Sequence, residues 1–247
     1  MAYKAFAKYY DGLTENIDYE QKADYIIGIF SRYGVTSGKV LDLACGTGTL
    51  TLALSCRGMD MMGVDGAEEM LVQARQKADC AGRDILFIHQ KMQSLDLPGK
   101  VDACVCTLDS LNHLKGESEI RRAFENISRY MRIGGLFVFD VNTVYKHREI
   151  LGNNTFVYDT EDVYLVWQNT LRESDNSVLI ELDFFEPMDN GLYRRSRDRF
   201  REYAYPEIDI RKMLSDYGFS TEGVFHETTF ELPHDNSQRL TFAARKI

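Results

Sequence analysis

The part of the chain best suited to chemistry lies between residues 39 and 50, where an apolar run meets a glycine-rich turn. The run ends at Leu43, Gly46 and Gly48 follow it, and a helix-like pattern begins at Thr49. A strand that turns on glycines into a helix presents unpaired backbone N–H groups and the positive end of a helix dipole. The missing Cβ atoms also let a ligand approach closely. The stretch therefore predicts a nucleotide-type binding site.

The side chains around these glycines narrow the class of nucleotide. Dinucleotide folds use G-x-G-x-x-G, but Thr51 stands at the third glycine position, and no G-x-x-x-x-G-K-[ST] phosphate loop is present. Asp42, four residues before Gly46, would repel a pyrophosphate but suits a ligand with an ammonium group and a sulfonium centre. Asp65, nineteen residues after Gly46, ends a second apolar run, where an acid can accept hydrogen bonds from both ribose hydroxyls.

The run D-L-A-C-G-T-G closely resembles the first motif of the class I S-adenosylmethionine (SAM) dependent methyltransferases. The resemblance is strong over residues 39–65, looser in the later β-rich part, and covers nearly the whole chain. It implies an α/β fold: a doubly wound, mostly parallel, seven-stranded Rossmann-like sheet. It also implies transfer of a methyl group from SAM to a small-molecule acceptor by in-line displacement, with S-adenosylhomocysteine (SAH) as the product.

The same resemblance implies a set of cofactor-binding residues. Asp42 would lie near the methionine ammonium group of SAM, and Asp65 would hold the ribose. Tyr9 and Tyr10 would close over the site as a lid, although these aromatic residues could instead pack an N-terminal helix on the core. The implied set is Tyr9, Tyr10, Asp42, Ala44, Gly46, Thr47, Gly48, Asp65, Gly66, Met70, Met92, Gln93, Thr107, Leu108 and Asp109.

One position departs from the family pattern. Many members place an acid after the third strand, in a motif like Q-D-M, where it accepts a hydrogen bond from the adenine amino group. This chain has Gln90-Lys91-Met92, and a lysine cannot accept that hydrogen bond. Either the backbone around Met92 holds the adenine, or Gln93 or Asp96 takes the place of the acid.

A polar stretch follows the fourth apolar run and supplies the candidates for acceptor binding. Ligands of open α/β sheets lie beyond the carboxyl ends of the strands, so we predict SAM contacts for Thr107–Asp109. Asn112 and His113 either bind the acceptor or have structural roles, since Asp and Asn commonly cap turns. His113 and Tyr10 are the candidate general bases, and a structural histidine is the alternative reading of His113.

The pattern of predicted secondary structure changes after residue 150. Before it, strand and helix patterns alternate, which is typical of a parallel sheet with right-handed crossovers. Residues 151–203 instead contain strand-like runs separated by turn signals, which predicts an antiparallel β insertion after the fifth strand. Residues 1–150 and 204–247 would then form the SAM-binding domain. Within the insertion, Trp167 and Tyr203 bind the acceptor, pack on the main domain or form a dimer contact.

Composition restricts the partners. The net charge of −9, from 29 basic and 38 acidic residues, argues against DNA and RNA. The arginines of residues 194–201 keep a tRNA-modifying methyltransferase as an alternative, and a SAM-binding protein without turnover is another. The five cysteines lack zinc-ligand spacing, so we expect free thiols and no metal. Without an apolar leader or a membrane-length apolar run, we expect a cytoplasmic protein. We expect it to be a monomer or a homodimer.

Overall fold

Two β-sheets organise the computed structural model, which describes residues 17–247. The first sheet contains β1 (Lys39–Leu43), β2 (Asp60–Asp65), β3 (Leu86–His89), β4 (Val101–Cys106), β5 (Met131–Asn142), β10 (Phe219–His226) and β11 (Arg239–Lys246). The second sheet contains β6 (Thr155–Asp159), β7 (Tyr164–Arg172), β8 (Ser177–Pro187) and β9 (Tyr193–Tyr203). The helices are α1 (Tyr19–Arg32), α2 (Thr49–Cys56), α3 (Glu68–Cys80), α4 (Glu117–Tyr130) and α5 (Glu207–Asp216).

The first sheet has the strand order β10-β11-β5-β4-β1-β2-β3. Neighbours from β5 to β3 are parallel, and β11 is antiparallel to both β5 and β10. The second sheet is antiparallel throughout, in the order β6-β7-β8-β9. The predicted fold class, a mostly parallel seven-stranded sheet with an antiparallel sheet after the fifth strand, is confirmed.

Both faces of the first sheet are buried, which explains why its strands are almost continuously apolar. Side chains alternate between the two faces, so Val40 packs in a core with residues of α1 and α2, whereas Leu41 packs in a core with residues of α4 and α5. Among the helices of the described chain, none combines the length and apolar character that a membrane span requires.

Two element boundaries differ from the sequence-based expectation. The amphipathic pattern of residues 117–132, followed by Gly134 and Gly135, predicts a helix up to these glycines and a strand over residues 136–141. In the structure, α4 ends at Tyr130 and β5 already begins at Met131. Gly135 is needed inside the strand, since a Cβ there would lie 2.8 Å from the Asp102 carbonyl oxygen. Near the end of the chain, the sequence predicts an antiparallel pair of strands at residues 224–230 and 239–244, whereas the first of these strands, β10, covers Phe219–His226.

The carboxyl ends of β1, β2, β4 and β5 form one edge of the first sheet, and the second sheet is tied to it through Asn112. The Asn112 side-chain amide donates to the carbonyl oxygens of Asn142 (3.1 Å) and Tyr203 (2.9 Å). Its own oxygen accepts from the Asn142 backbone N–H at 2.9 Å. Asn112 is fully buried, so this side chain fixes the end of β9 against the end of β5.

Candidate active site

The two glycines of the turn after β1 have different roles. Both have positive φ, 55° at Gly46 and 74° at Gly48, a conformation that glycine adopts without strain. A Cβ on Gly48 would lie 2.8 Å from the Cβ of Ala74, so this glycine lets α3 pack closely. A Cβ on Gly46 would meet no atom within 4 Å among the described residues, so this glycine borders open space.

That open space belongs to a cleft, here called the cofactor cleft, at the carboxyl ends of β1 and β4. Six of the residues predicted to bind SAM line it. Five further residues line it that the sequence analysis missed: Tyr19, Cys45, Thr49, Leu50 and Ser110. The complete lining is Tyr19, Asp42, Ala44, Cys45, Gly46, Thr47, Thr49, Leu50, Thr107, Leu108 and Ser110. A glycine turn facing a cleft with a buried carboxylate suits a ligand that carries an ammonium group.

Asp42 is 2% exposed and lies in this cleft. Thr51 Oγ1 donates to Asp42 Oδ2 at 2.5 Å, and no lysine, arginine or histidine among residues 17–247 forms an ion pair with Asp42. Burial raises the pKa of Asp42 to about 7, the nearby Asp65 carboxylate adds to the shift, and the Thr51 hydrogen bond opposes it. Thr51, at the position where a dinucleotide fold would have glycine, therefore orients the cleft's acid.

Asp65 holds the glycine turn in place. Its Oδ2 accepts from the Gly46 N–H at 2.8 Å, and its Oδ1 accepts from the Ala67 N–H at 2.8 Å. Burial raises the pKa of Asp65, and these backbone hydrogen bonds counteract the rise. Each carboxylate oxygen can accept a further hydrogen bond, so the carboxylate remains able to bind two hydroxyls.

The region predicted to hold adenine is more constrained than the sequence indicated. Gln93 Nε2 donates to Glu119 Oε2 at 3.0 Å, and Asp96 Oδ1 accepts from the Tyr130 hydroxyl at 3.3 Å. Met92 is half-buried against the main core. Of the other two residues in the predicted set, Gly66 is exposed in the turn after β2, and Met70 is buried in α3.

The loop after β4 is held by Asp140. Leu108 and Asp109 have φ of 57° and 52°, which is uncommon outside glycine. Their backbone N–H groups donate to Asp140 Oδ2 at 3.0 Å and Oδ1 at 2.7 Å. Lys22 Nζ donates to Asp140 at 3.1 Å, and Arg239 donates to Asp140 (2.6 Å) and Asp109 (2.5 Å). Asp140 thereby fixes a loop that lines the cofactor cleft.

The charges around Asp140 compensate one another. Burial alone would raise the pKa of Asp140, but the two cations and the two backbone N–H groups hold it well below the usual range. Arg239 also lowers the pKa of Asp109, and the two carboxylates raise the pKa of Arg239. The sequence analysis missed Asp140, Arg239 and Lys22, and only the acid at the end of the fifth apolar run could have drawn attention to one of them.

The candidates for acceptor binding meet at the junction of the two sheets. One nitrogen of His113 and one carboxylate oxygen each from Asp109 and Glu202 lie within 4.8 Å of one another; we call these three residues the polar cluster. His113 Nε2 lies 3.6 Å from Glu202 Oε1, and the imidazole packs on Phe200 with ring centroids 5.1 Å apart. Asn112 lies beside this cluster but is buried and engaged with backbone, as described above.

The register of β9 distinguishes Glu202 from Tyr203. Glu202 pairs with Val178, whose side chain is in the core of the second sheet, whereas Tyr203 pairs with Ser177. Because strand side chains alternate, Glu202 lies on the inner face of the second sheet and the Tyr203 side chain lies on the outer face with Arg201. The residue of β9 that reaches the polar cluster is therefore Glu202, which the sequence analysis missed.

Trp167 lies on the inner face of the second sheet, packed against its core and against Phe156. Its indole N–H donates to Asn169 Oδ1 at 2.6 Å, which fixes the ring orientation. The two tyrosines predicted to form a lid, Tyr9 and Tyr10, lie outside the described residues.

The arginines of β9 that motivated the tRNA alternative lie opposite acidic residues. Arg195 and Arg197 bind Asp183 at 2.6 and 2.8 Å. Arg199 lies 3.7 Å from Glu181 on the same face of the second sheet. These carboxylates offset part, but not all, of the positive charge that would attract a phosphate backbone.

Comparison with known proteins agrees with this geometry. Residues 40–135 match the family model described as a methyltransferase domain. The chain is 33% identical to "Putative methyltransferase YqeM" of Bacillus subtilis, over 100% of this chain and 98% of that protein. A crystal structure of a SAM-dependent methyltransferase from Clostridium acetobutylicum is similar with a TM-score of 0.89 and 31% identity, covering 99% of this chain and 98% of that one.

A more distant structure has SAM bound. It is an amino pentose methyltransferase from Micromonospora echinaspora, with a TM-score of 0.75 and 19% identity, covering 100% of this chain and 98% of that one. At this identity the likeness concerns the fold. SAM is the cofactor for which the cleft, its glycine turn and its buried acid are suited. The chain belongs to the family of SAM-dependent methyltransferases.

Proposed function

We propose that the protein transfers the methyl group of SAM to a small-molecule acceptor held between the cofactor cleft and the inner face of the second sheet. The observation that carries this proposal is that one loop borders both places. Thr107, Leu108 and Ser110 line the cofactor cleft, whereas Asp109 and His113 of the same loop belong to the polar cluster. An acceptor at the polar cluster would therefore lie next to the cofactor.

The residues of the cleft would position SAM through complementary charge and shape. Asp42 would bind the ammonium group of the methionine moiety, and the open side of Gly46 would accommodate that moiety along the turn. Asp65 would accept hydrogen bonds from the ribose hydroxyls. The adenine amino group would donate to the backbone around Met92, to Gln93 Oε1 or to Asp96, because Gln93 binds Glu119 through Nε2 and the Tyr130 hydroxyl contacts Asp96 at Oδ1.

SAM supplies a methyl carbon activated by a positive sulfur, so the transfer is a displacement in which alignment and exclusion of water contribute much of the acceleration. The loop after β4 would provide this alignment, because Asp140 fixes its backbone. In this arrangement residues 1–150 and 204–247 bind the cofactor, and residues 151–203 cover the acceptor. The fold shared with an amino pentose methyltransferase is compatible with a small acceptor.

The test is isothermal titration with SAH, with NAD as the ligand control. We expect micromolar SAH binding and no NAD binding. Asp65→Ala should weaken SAH binding at least about tenfold, because a pair of charge-assisted hydrogen bonds is lost. The matched control is Asp60→Ala, which removes an exposed acid from the other end of β2 and should not change the affinity.

Unchanged SAH affinity in Asp65→Ala, with a thermal midpoint close to that of the wild type, would refute the ribose assignment. Turnover is then measured as SAH release from SAM in the presence of small amines and alcohols. Tight SAH binding without any release would favour the alternative of a SAM-binding protein without turnover.

A further inference from the structure

Glu202 lies between two histidines at the junction of the two sheets. Its Oε1 is 3.6 Å from His113 Nε2, and its Oε2 is 3.7 Å from His147 Nε2. The carboxylate is 5% exposed, and the Asn142 side-chain amide donates to Oε2 at 3.3 Å. Such a buried carboxylate needs hydrogen bonds or a cationic partner.

His147 provides an independent sign that this place is built for a ligand. It is fully buried, and its Nδ1 lies 2.8 Å from the Asn176 carbonyl oxygen. A carbonyl only accepts, so Nδ1 carries the hydrogen. Within residues 17–247 no group hydrogen bonds to Nε2, which faces Glu202. A buried polar atom without a partner destabilises the fold and calls for a functional explanation.

The two nearby cationic side chains, Arg239 and Lys146, form hydrogen bonds with groups other than Glu202. Arg239 binds Asp109 and Asp140, and Lys146 Nζ donates to Asn142 Oδ1 at 3.0 Å. Burial lowers the pKa of Lys146, while the carboxylates of Asp109, Glu202 and Asp140 counteract this. Together with His113 and His147, these are the charged and titratable groups that face Glu202. Within the described chain, the two imidazoles are the basic side chains within 4 Å of the Glu202 carboxylate.

We propose that the polar cluster is the site for the acceptor's nitrogen, so that the acceptor is an amine. This inference rests on the proposed function and narrows its substrate class. Glu202 and Asp109 bind the protonated amine as an ammonium group, and the Asn142 side-chain amide, which donates to Glu202 Oε2 at 3.3 Å, keeps Glu202 in place. His113, whose side chain is 28% exposed, takes the proton from the ammonium and passes it to solvent.

The step balances in atoms and charge. The amine lone pair freed by His113 forms the new N–C bond while the C–S bond breaks, with its electron pair remaining on sulfur, so neutral SAH and a methylated ammonium result. An alkylammonium loses a proton near pH 10, within reach of an imidazole, whereas an aliphatic alcohol holds its proton much more strongly.

The experiment follows the imidazole signals of the SAH-loaded protein by NMR at constant pH. The chain has five histidines, so the spectrum is sparse. His113→Gln and His147→Asn assign two of the signals, and the asparagine amide can still donate to the Asn176 carbonyl. The probes are ethanolamine and ethylene glycol, which differ in having an amine or a hydroxyl at one end.

We expect ethanolamine to move the His113 signal in a saturable way, and ethylene glycol to leave it in place. Glu202→Gln should weaken the ethanolamine effect at least about tenfold. Glu181→Gln, which removes a carboxylate from the outer face of the same sheet, should leave the ethanolamine effect unchanged. SAH affinity, measured on each variant, should stay within about twofold of the wild type, which separates this test from that of the cofactor site.

An unmoved His113 signal with ethanolamine would overturn the proposal. So would equal responses to the two probes, or an unchanged ethanolamine response in Glu202→Gln. Failure of the wild-type protein to bind SAH would instead contradict the proposed function. The two proposals can therefore fail separately.

Discussion

Two buried carboxylates on neighbouring parts of the same sheet edge have opposite electrostatic surroundings. Asp42 in β1 is 2% exposed and accepts from the Thr51 hydroxyl. Asp140 in β5 is 1% exposed and accepts from Lys22, Arg239 and two backbone N–H groups. Burial raises the pKa of Asp42 to about 7, whereas the cations hold the pKa of Asp140 well below its usual range.

The difference shows which acid is compensated by the protein's own cations and which is not. Asp140 is compensated within the protein and fixes the loop after β4. Asp42 lacks a cation among the described residues and lines the cofactor cleft, so a cationic ligand would supply the missing charge. Burying an uncompensated carboxylate opposes folding, a cost that binding sites often carry.

The two acids also contribute to stability in opposite pH ranges. An unfolded carboxyl titrates near pH 4. Since the folded pKa of Asp42 is raised, the free energy of unfolding falls as pH rises from about 4 to about 7. Since the folded pKa of Asp140 is depressed, its contribution is present above about pH 4 and is lost as pH falls below that value.

The largest effect is expected for Asp140→Asn. Removing the carboxylate leaves Lys22 and Arg239 without their shared partner, so the free energy of unfolding should fall by about 3–5 kcal/mol. Urea denaturation at pH 7.5 measures this change in the free energy of unfolding. The control is Asp216→Asn, which breaks an exposed pair with Arg121 and should cost at most about 1 kcal/mol. Equal losses in the two variants would contradict the structural role of Asp140.

Asp42→Asn should have the opposite effect, weakening SAH binding without lowering the free energy of unfolding. SAH affinity should fall about 10- to 100-fold, as expected for a lost charge-assisted hydrogen bond. The free energy of unfolding at pH 8 should not decrease, because a neutral amide replaces a carboxylate that burial destabilises and Thr51 can still donate to it. Titration calorimetry and urea denaturation on the same sample provide both values. A stability loss like that of Asp140→Asn would show that Asp42 is not the uncompensated acid.

The pH dependence of SAH binding gives a third comparison. In the proposed arrangement, the ammonium group of SAH would pair with the ionised form of Asp42, and burial raises the pKa of Asp42 to about 7. Affinity should therefore be about tenfold weaker at pH 6 than at pH 8, with proton release on binding at the lower pH. Calorimetry in two buffers of different ionisation enthalpy counts the protons. The Asp42→Asn variant should have a flat profile over this range, and a parallel slope in both proteins would assign the effect elsewhere.

The smallest effect is expected on the outer face of the second sheet. Asp183→Asn removes the partner of Arg195 and Arg197, whose side chains are about half exposed. The free energy of unfolding should fall by about 0.5–1 kcal/mol, because solvent screens these pairs. SAH affinity should not change. A change in SAH affinity would connect this face to the cofactor cleft, contrary to the described geometry.

Much of the cofactor side could be predicted because its interactions are local in sequence. Asp42, Gly46 and Asp65 lie on two consecutive strand–turn–helix units, so the turn geometry follows from residue types at fixed spacing. The acceptor side could not be predicted in this way. Whether Glu202 or Tyr203 of β9 faces His113 depends on strand register, and a shift of one residue exchanges the two faces of a strand.

The sequence by itself determined the order of strands and helices, the glycine turn and the class of cofactor, since each depends on composition and short-range spacing. The tertiary structure decided how Asp140, Arg239 and Lys22 meet, because those contacts join positions separated by 99 and 118 residues. It also decided that Asn112 joins the two sheets and that Glu202 lies between two histidines. Charge compensation among distant side chains depends on packing, which no local pattern specifies.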